Sequence, residues 1–374
     1  MIKVLVVDDS ALMRKHMTQV LEGAGDFEVM TVRNGAEALD LLERFDPDVI
    51  TLDVNMPEMD GITCLANIMA RRPKPVVMVS SLTEEGAEVT LQAMSLGAVD
   101  FVHKPGGTIS LSIDQIHYDL LTKVRAAAKA RVRRSIGLRQ RLETHQRGRS
   151  ATSTPSHKTL APLPRGKMGI VLIGVSTGGP STLEEILPVL PADFPWAVLV
   201  AQHMPGSFTG VFARRLNDLC QIPVVEAFRQ TPIEPGTVYI AKGDADLVVL
   251  RRGTGFCAAP VPSSKDFLWH PSVHRMVASA VDVVPIDRMI AVQLTGMGDD
   301  GAEAMAELHR RGGRTIAQDA ASSIVFGMPN ELIKRGGADL VMPADRIGDQ
   351  LIQWLSAEPQ SRKEAGHGAH KCRE

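Results

Sequence analysis

The sequence predicts an α/β protein of two domains: a five-stranded, doubly wound parallel sheet at the N-terminus, joined to a mainly parallel α/β domain with a small antiparallel excursion. Three observations predict it. Short β-branched runs alternate with segments of helical period in both halves, the pattern of parallel strands covered by helices on both faces. Residues able to do chemistry recur directly after those runs, at the carboxyl ends of the strands, where such sheets bind their ligands. Between the halves, an Arg-rich and then Ser/Thr/Pro-rich stretch has too little apolar content to pack. The domains are expected over 1–124 and 167–356, with a linker over 125–166 and a disordered tail over 357–374.

Composition bounds the function. At 374 residues, 44% hydrophobic and 22% charged, the chain can bury substantial cores. A formal net charge of −2 supplies no global field favouring nucleic acid or a membrane surface. No apolar run approaches the roughly 20 residues of a membrane span. Met1-Ile2-Lys3-Val4 leads straight into a strand with no signal peptide ahead of it. Cys64, Cys220, Cys257 and Cys372 are too dispersed for a zinc pattern or a disulfide framework. A cytoplasmic protein without membrane insertion is therefore expected. His367, His370 and Cys372 in the tail read as part of a frayed end rather than as metal ligands.

In the first domain, Lys3 to Val7 is an apolar strand ending in Asp8-Asp9, with Ser10 placed to cap the following helix. Further strands are expected at Glu28 to Arg33, Val49 to Leu52, Pro75 to Val79 and Ala98 to Val102, between helical segments such as Ala36 to Leu42 and Ala87 to Leu96. The strand ends carry Asp8 and Asp9, Asp53, Ser80 and Ser81, and Lys104. Three carboxylates brought together repel unless a hard cation sits among them, and Mg²⁺ suits such oxygen ligands. With Lys104 on the phosphoryl oxygens, one carboxylate, best placed at Asp53, can accept a phosphoryl group.

Val6-Val7-Asp8-Asp9-Ser10, the Asp53 to Gly61 stretch, the Ser80-Ser81 strand end and Asp100-Phe101-Val102-His103-Lys104-Pro105 together resemble a response-regulator receiver domain of flavodoxin-like fold. The resemblance implies phosphorylation of Asp53 by a partner histidine kinase. It implies Mg²⁺ held by Asp8, Asp9, Asp53 and the Asn55 carbonyl, with Ser80 and Phe101 as the switch pair beside Lys104.

The linker is strongly basic, with Glu143 the only acid from Arg125 to Arg149. Nucleic acid would suit it, but a solvated joint, or one docking on an acidic surface of a kinase or receptor, fits better. The last helix of the first domain is expected to continue through Arg131.

The second domain opens with Ile170 to Val175, a buried strand that turns at Ser176-Thr177-Gly178-Gly179-Pro180 into a helix. A hydroxyl at this corner projects from the carboxyl edge of the sheet beside the N–H groups of the helix start, a setting suited to a nucleophile. The same glycines equally serve a tight turn or a phosphate cradle, and the stretch alone does not decide. Trp196 to Ala201 is a second strand, delivering His203 to the same edge; a lone histidine there is ordinarily a core residue. Adjacent parallel strands lie about 4.8 Å apart, so neighbouring strands would bring His203 within reach of Ser176. Val224 to Ala227, Thr237 to Ala241 and Leu247 to Arg251 are expected to form the antiparallel excursion, and Pro271 to Val281 a helix.

Met289 to Thr295 is a third strand, leaving through Gly296-Met297-Gly298-Asp299-Asp300-Gly301 into a helix from Ala302 to Arg310. This is literally G-x-G-x-x-G, yet two carboxylates stand where a dinucleotide pyrophosphate would approach and repel it. They are useful if one orients His203. A serine, a histidine and a carboxylate thus reach three strand ends in the order Ser, His, Asp. That order argues against the α/β-hydrolase fold, which carries its acid before its histidine.

Gly174 to Gly179, Gln202-His203-Met204-Pro205 with Phe208-Thr209, Thr295 to Gly301, and Ala317-Gln318-Asp319 with Val325 to Pro329 resemble the CheB-type chemotaxis protein-glutamate methylesterases. The resemblance spans nearly the whole chain and implies a phosphorylation-activated serine hydrolase in a two-component chemosensory pathway. Its substrates would be glutamate methyl esters on chemoreceptor helices, with glutamine deamidation at the same site and no cofactor for the hydrolysis. It implies Ser176 as nucleophile, His203 as general base and Asp300, directly before Gly301, as the orienting acid. The backbone of Met297 would complete the oxyanion hole, with Thr177 in the pocket. One region departs: His270 and His274 stand where the family usually has Arg and Asp.

Overall fold

A computed structural model describes residues 1–81, 83–104, 113–130 and 168–356. The tail and nearly all of the basic linker lie outside the described residues.

The first domain is a parallel sheet in the order β2-β1-β3-β4-β5, formed by β1 (Ile2–Val7), β2 (Phe27–Val32), β3 (Val49–Asp53), β4 (Val76–Ser80) and β5 (Asp100–His103). Five helices cover it: α1 (Ala11–Gly23), α2 (Gly35–Phe45), α3 (Gly61–Arg71), α4 (Glu84–Leu96) and α5 (Ile113–Ala128). The β-branched runs are continuous because both faces are covered. Leu5 and Val7 of β1 enter the core beneath α2, α3 and α4, whereas Val4 and Val6 meet Met17, Leu21, Leu120 and Val124 of α1 and α5. Side-chain acceptors stop the helices from running back into the strands: Ser10 caps α1, Asn34 caps α2, Asp60 caps α3 and Thr83 caps α4. Helix α5 ends at Ala128, short of the expected Arg131.

The second domain is a seven-stranded parallel sheet in the order β15-β14-β13-β6-β7-β10-β8. Its strands are β6 (Ile170–Val175), β7 (Ala197–Gln202), β8 (Val224–Ala227), β10 (Val238–Ala241), β13 (Met289–Gln293), β14 (Arg314–Gln318) and β15 (Leu340–Met342). Helices α6 (Gly179–Ile186), α7 (Gly206–Leu219), α8 (Val273–Val283), α9 (Ala302–Arg310), α10 (Met328–Lys334) and α11 (Ala344–Ser356) flank it. A separate antiparallel sheet has the order β11-β12-β9, from β11 (Ala245–Arg252), β12 (Gly255–Pro262) and β9 (Thr231–Pro232).

The antiparallel excursion is thus displaced relative to the sequence expectation. Val224 to Ala227 and Val238 to Ala241 are parallel members of the main sheet, and the partner of β11 is β12, which the Gly253 turn folds back onto it. Short strands of this kind carry no period long enough to separate parallel from antiparallel pairing.

The two domains pack against each other. One apolar core runs from beneath α4 of the first domain to the α6, α7 and α11 face of the second sheet. At the junction Phe101 of β5 stacks on Phe208 of α7, with ring centroids 4.5 Å apart and planes at 12°. Beside it Glu184 of α6 accepts from Ser95 of α4 at 2.9 Å and from Arg215 of α7 at 2.5 Å. No helix among the described residues is long and apolar enough to cross a membrane.

Candidate active site and phosphoacceptor site

Strand order decides which side chains meet. β6 lies between β13 and β7, with Gly174 opposite Gln293 and Val175 opposite Gln202, so the residues leaving all three strands arrive at one edge. The Ser176 N–H donates to the Thr295 carbonyl at 3.0 Å and the His203 N–H to the Val175 carbonyl at 3.1 Å, placing Ser176 between the other two strand exits. This edge is also where the connections diverge to the two halves of the sheet, the usual ligand crevice of parallel α/β folds.

His203 Nε2 and Asp300 Oδ2 are 2.8 Å apart, with side chains 6% and 8% exposed. Asp300 accepts at both oxygens. Oδ2 also takes the Val273 N–H at 2.7 Å, while Oδ1 takes the His274 N–H at 2.9 Å and the Ser272 hydroxyl at 3.1 Å. The carboxylate therefore sits on the N-terminus of α8, where free N–H groups and the helix dipole favour negative charge. Burial pushes its pKa up, but the hydrogen bond from His203, the charge that ring carries when protonated and the two backbone N–H groups outweigh burial and hold it below the ordinary 3.8. An ionised Asp300 only accepts, so the His203 proton is on Nε2 and Nδ1 is the acceptor. Nδ1 is buried with no hydrogen-bond partner among the described residues. Asp299, the neighbouring carboxylate, points away to Arg335 at 3.2 Å.

Ser176 Oγ makes no hydrogen bond among the described residues, so in this arrangement it is not joined to His203. Thr177 is buried beside Ser176. Its hydroxyl donates to Asp100 Oδ2, on β5 of the first domain, at 2.5 Å. The Met297 N–H has no acceptor among the described residues, as a donor reserved for a substrate oxygen requires. Glycine is needed where the loops close together: a Cβ on Gly296 would lie 2.7 Å from Ser176 Cβ, and one on Gly301, at φ +86°, 2.3 Å from Val273.

Three residues that the sequence reading did not weigh support these loops. β7, β13 and β14 each end in a buried glutamine. Gln202 Nε2 donates to the carbonyls of Ser176 (3.0 Å) and His203 (3.1 Å), Gln293 to that of Asp300 (3.3 Å), and Gln318 accepts from the Thr295 N–H (2.8 Å). An apolar strand closing on Gln three times in one domain is the signal that would have found them.

The departing region also has a role in the structure. His270 Nδ1 and Arg275 Nη1 both pair with buried Asp246, at 2.8 and 2.6 Å, and the Ser272 N–H donates to it at 2.6 Å. Burial raises the Asp246 pKa, but His270, the Ser272 N–H and Arg275 outweigh it and hold the carboxyl at about 2. Because the folded value lies below the unfolded one, this stabilisation is complete above about pH 4 and is lost as pH falls towards 2, a contribution of about 2 kcal/mol. Asp246→Asn is expected to lose about 2–4 kcal/mol at pH 7. Urea unfolding should find the gap closing as the pH approaches 2.

In the first domain Asp8, Asp9 and Asp53 bring carboxylate oxygens within 4.8 Å of one another. Lys104 Nζ lies 2.7 Å from Asp53 Oδ2 and 3.4 Å from Asp8 Oδ2. Burial raises the pKa of Asp8 and of Asp53 despite Lys104, and each also feels a neighbouring carboxylate. Buried acids in this state have more negative charge than one lysine neutralises, which fits a hard divalent cation. Asn55 is exposed beside them, its N–H donating to Asp53 at 3.3 Å. Ser80 is turned to the first turn of α4, donating to the Gly86 carbonyl at 3.2 Å, and Phe101 is in the interdomain stack.

Comparison with known proteins gives both halves relatives. A response regulator receiver domain model matches residues 4–112 and a CheB methylesterase model residues 171–351. The chain is 65% identical over 358 residues to protein-glutamate methylesterase/protein-glutamine glutaminase 3 of Rhodospirillum rubrum, covering 95% of this chain and 97% of that one. It is 51% identical over 365 residues to protein-glutamate methylesterase/protein-glutamine glutaminase 2 of Rhodopseudomonas palustris, covering 96% and 99%. Among solved structures, the Thermotoga maritima CheB methylesterase catalytic domain is 39% identical, with a TM-score of 0.49 and coverage of 50% of this chain and 99% of that one.

Proposed function

The chain belongs to the family of CheB-type protein-glutamate methylesterases/protein-glutamine glutaminases, and from that premise we propose that Ser176, His203 and Asp300 hydrolyse glutamate methyl esters on the cytoplasmic helices of chemoreceptors. The observation that carries the assignment is the buried 2.8 Å pair of His203 with Asp300, at strand exits flanking Ser176.

Ser176 Oγ attacks the ester carbonyl while His203 Nδ1 takes its proton, and Asp300 holds the imidazole by Nε2 and stabilises the imidazolium. The Met297 N–H faces the oxyanion of the tetrahedral intermediate. The imidazolium returns the proton to the departing methoxide, giving methanol and an acyl-serine. Water then attacks with His203 as base, restoring the carboxyl group and Ser176. The same steps on a glutamine side chain release ammonia, which makes deamidation a second activity of one site. No cofactor enters the hydrolysis.

The first domain acts as the switch. Asp53 accepts a phosphoryl group from a histidine kinase, with Lys104 on its oxygens. Mg²⁺ held by Asp8, Asp9, Asp53 and the Asn55 carbonyl would neutralise phosphoryl charge. In the unphosphorylated chain the receiver covers the site: Asp100 grips Thr177, next to the nucleophile, and Phe101 is stacked on Phe208. Phosphorylation draws Ser80 and Phe101 towards Asp53, weakening both contacts and shifting the population to an open arrangement. Methanol release from methylated receptor, with and without a small-molecule phosphodonor and Mg²⁺, tests the proposal. Stimulation is expected in the wild type and none in Asp53→Asn, whose basal rate should remain; equal stimulation of both would remove Asp53 from the account.

A further inference from the structure

Trp269 has no part in the triad, yet its indole lies on the base. Its ring is stacked on the His203 imidazole, with centroids 5.7 Å apart and planes inclined by only 13°. Asp300 holds that imidazole at one edge, through Nε2, and an edge contact leaves the ring free to rotate about the hydrogen bond. A flat neighbour on the face removes that freedom. An aromatic face also attracts the imidazolium that forms when His203 takes the serine proton, so the contact strengthens as the reaction proceeds.

The indole is itself fixed. Its successor His270 is tied to Asp246, which also binds Arg275 and the Ser272 N–H, so the strap carrying Trp269 is anchored to the same α8 N-terminus that holds Asp300. On the other side Gly298, at φ +86°, lies against the indole, where a Cβ would be at ordinary contact distance, 3.5 Å from Trp269 Nε1. Tyr118 of α5 approaches the indole from the receiver, with centroids 6.2 Å apart. Trp269 and His203 belong to one domain, so the stack survives opening, when Tyr118 leaves.

We propose that Trp269 is a positioning residue for the general base, fixing the plane of the His203 ring through its indole face. The inference rests on the assignment of His203 as base. Its test uses full-length protein with phosphodonor and Mg²⁺, comparing Trp269→Leu, which keeps apolar bulk, with Trp269→Phe, which keeps an aromatic face. Trp269→Leu is expected to lower kcat by about 10- to 100-fold, up to the cost of misplacing a reacting group by about 1 Å, with KM within about twofold. Trp269→Phe should recover to within about threefold of wild type. A Trp269→Leu rate within twofold of wild type, a loss confined to KM, or a Trp269→Phe variant as slow as Trp269→Leu would each overturn the proposal. Ser176→Ala separates the two claims: an inactive Ser176→Ala beside a fully active Trp269→Leu rejects only the role of Trp269, whereas an active Ser176→Ala rejects the serine mechanism beneath it.

Discussion

Ser176→Ala is expected to lower kcat/KM for methyl-ester hydrolysis by about 10⁴-fold or more, while unfolding is nearly unchanged. The size follows from the mechanism: without Oγ no acyl-enzyme forms, and what remains is the oxyanion donor and bound water. Stability should be spared because Ser176 Oγ makes no hydrogen bond among the described residues, and the bonds at this position come from its N–H and carbonyl, which alanine keeps. Methanol release at receptor concentrations well below KM, together with a urea melt, checks both halves. A variant that hydrolysed at a tenth of the wild-type rate would place the chemistry elsewhere.

The second large effect is expected at the acid. Asp300→Asn changes no shape but leaves one acceptor oxygen where the carboxylate had two. In wild type each oxygen faces two donors, His203 and the Val273 N–H on one side, the His274 N–H and the Ser272 hydroxyl on the other. Whichever way the amide is turned, its NH₂ confronts at least one N–H. Turned towards α8, it leaves the helix N-terminus unsatisfied; turned towards His203, it forces the imidazole into the tautomer whose Nδ1 carries the proton and cannot accept. The expected result is a loss of about 10⁴-fold in kcat together with about 1–3 kcal/mol of stability. That combination distinguishes Asp300→Asn from Ser176→Ala, where stability is spared. Asp299→Asn, which touches only the exposed Arg335 contact, should leave kcat unchanged.

Most of the architecture was legible because the sheets are buried on both faces, so their strands read as β-branched runs whose exits carry the polar residues. Between Asp299 and Asp300 the choice came from the resemblance, which places the acid directly before Gly301, and in the structure Asp300 is the one that pairs with His203 and accepts from the α8 N-terminus. What escaped was side-chain contact that no motif or period marks. Trp269 lies 66 positions from His203, and Thr177 lies 77 from Asp100; neither contact leaves a periodic trace. The parallel placement of β8 and β10 escaped because four-residue strands look alike in either direction. His270 and His274 illustrate a different limit. Their types depart from the family pattern, yet the structure gives His270 a partner in Asp246 and uses His274 through its backbone N–H on Asp300, a contact indifferent to side-chain identity.

The central claim is that Ser176 becomes a nucleophile only through the imidazole that Asp300 orients. It is tested most directly by labelling the phosphodonor-treated protein with a fluorophosphonate and mapping the adduct by mass spectrometry. The account predicts a single adduct on Ser176, forming in step with the loss of methanol release and failing to form in His203→Ala. An enzyme that kept its activity with Ser176 fully labelled, or a His203→Ala variant labelled as fast as wild type, would contradict it.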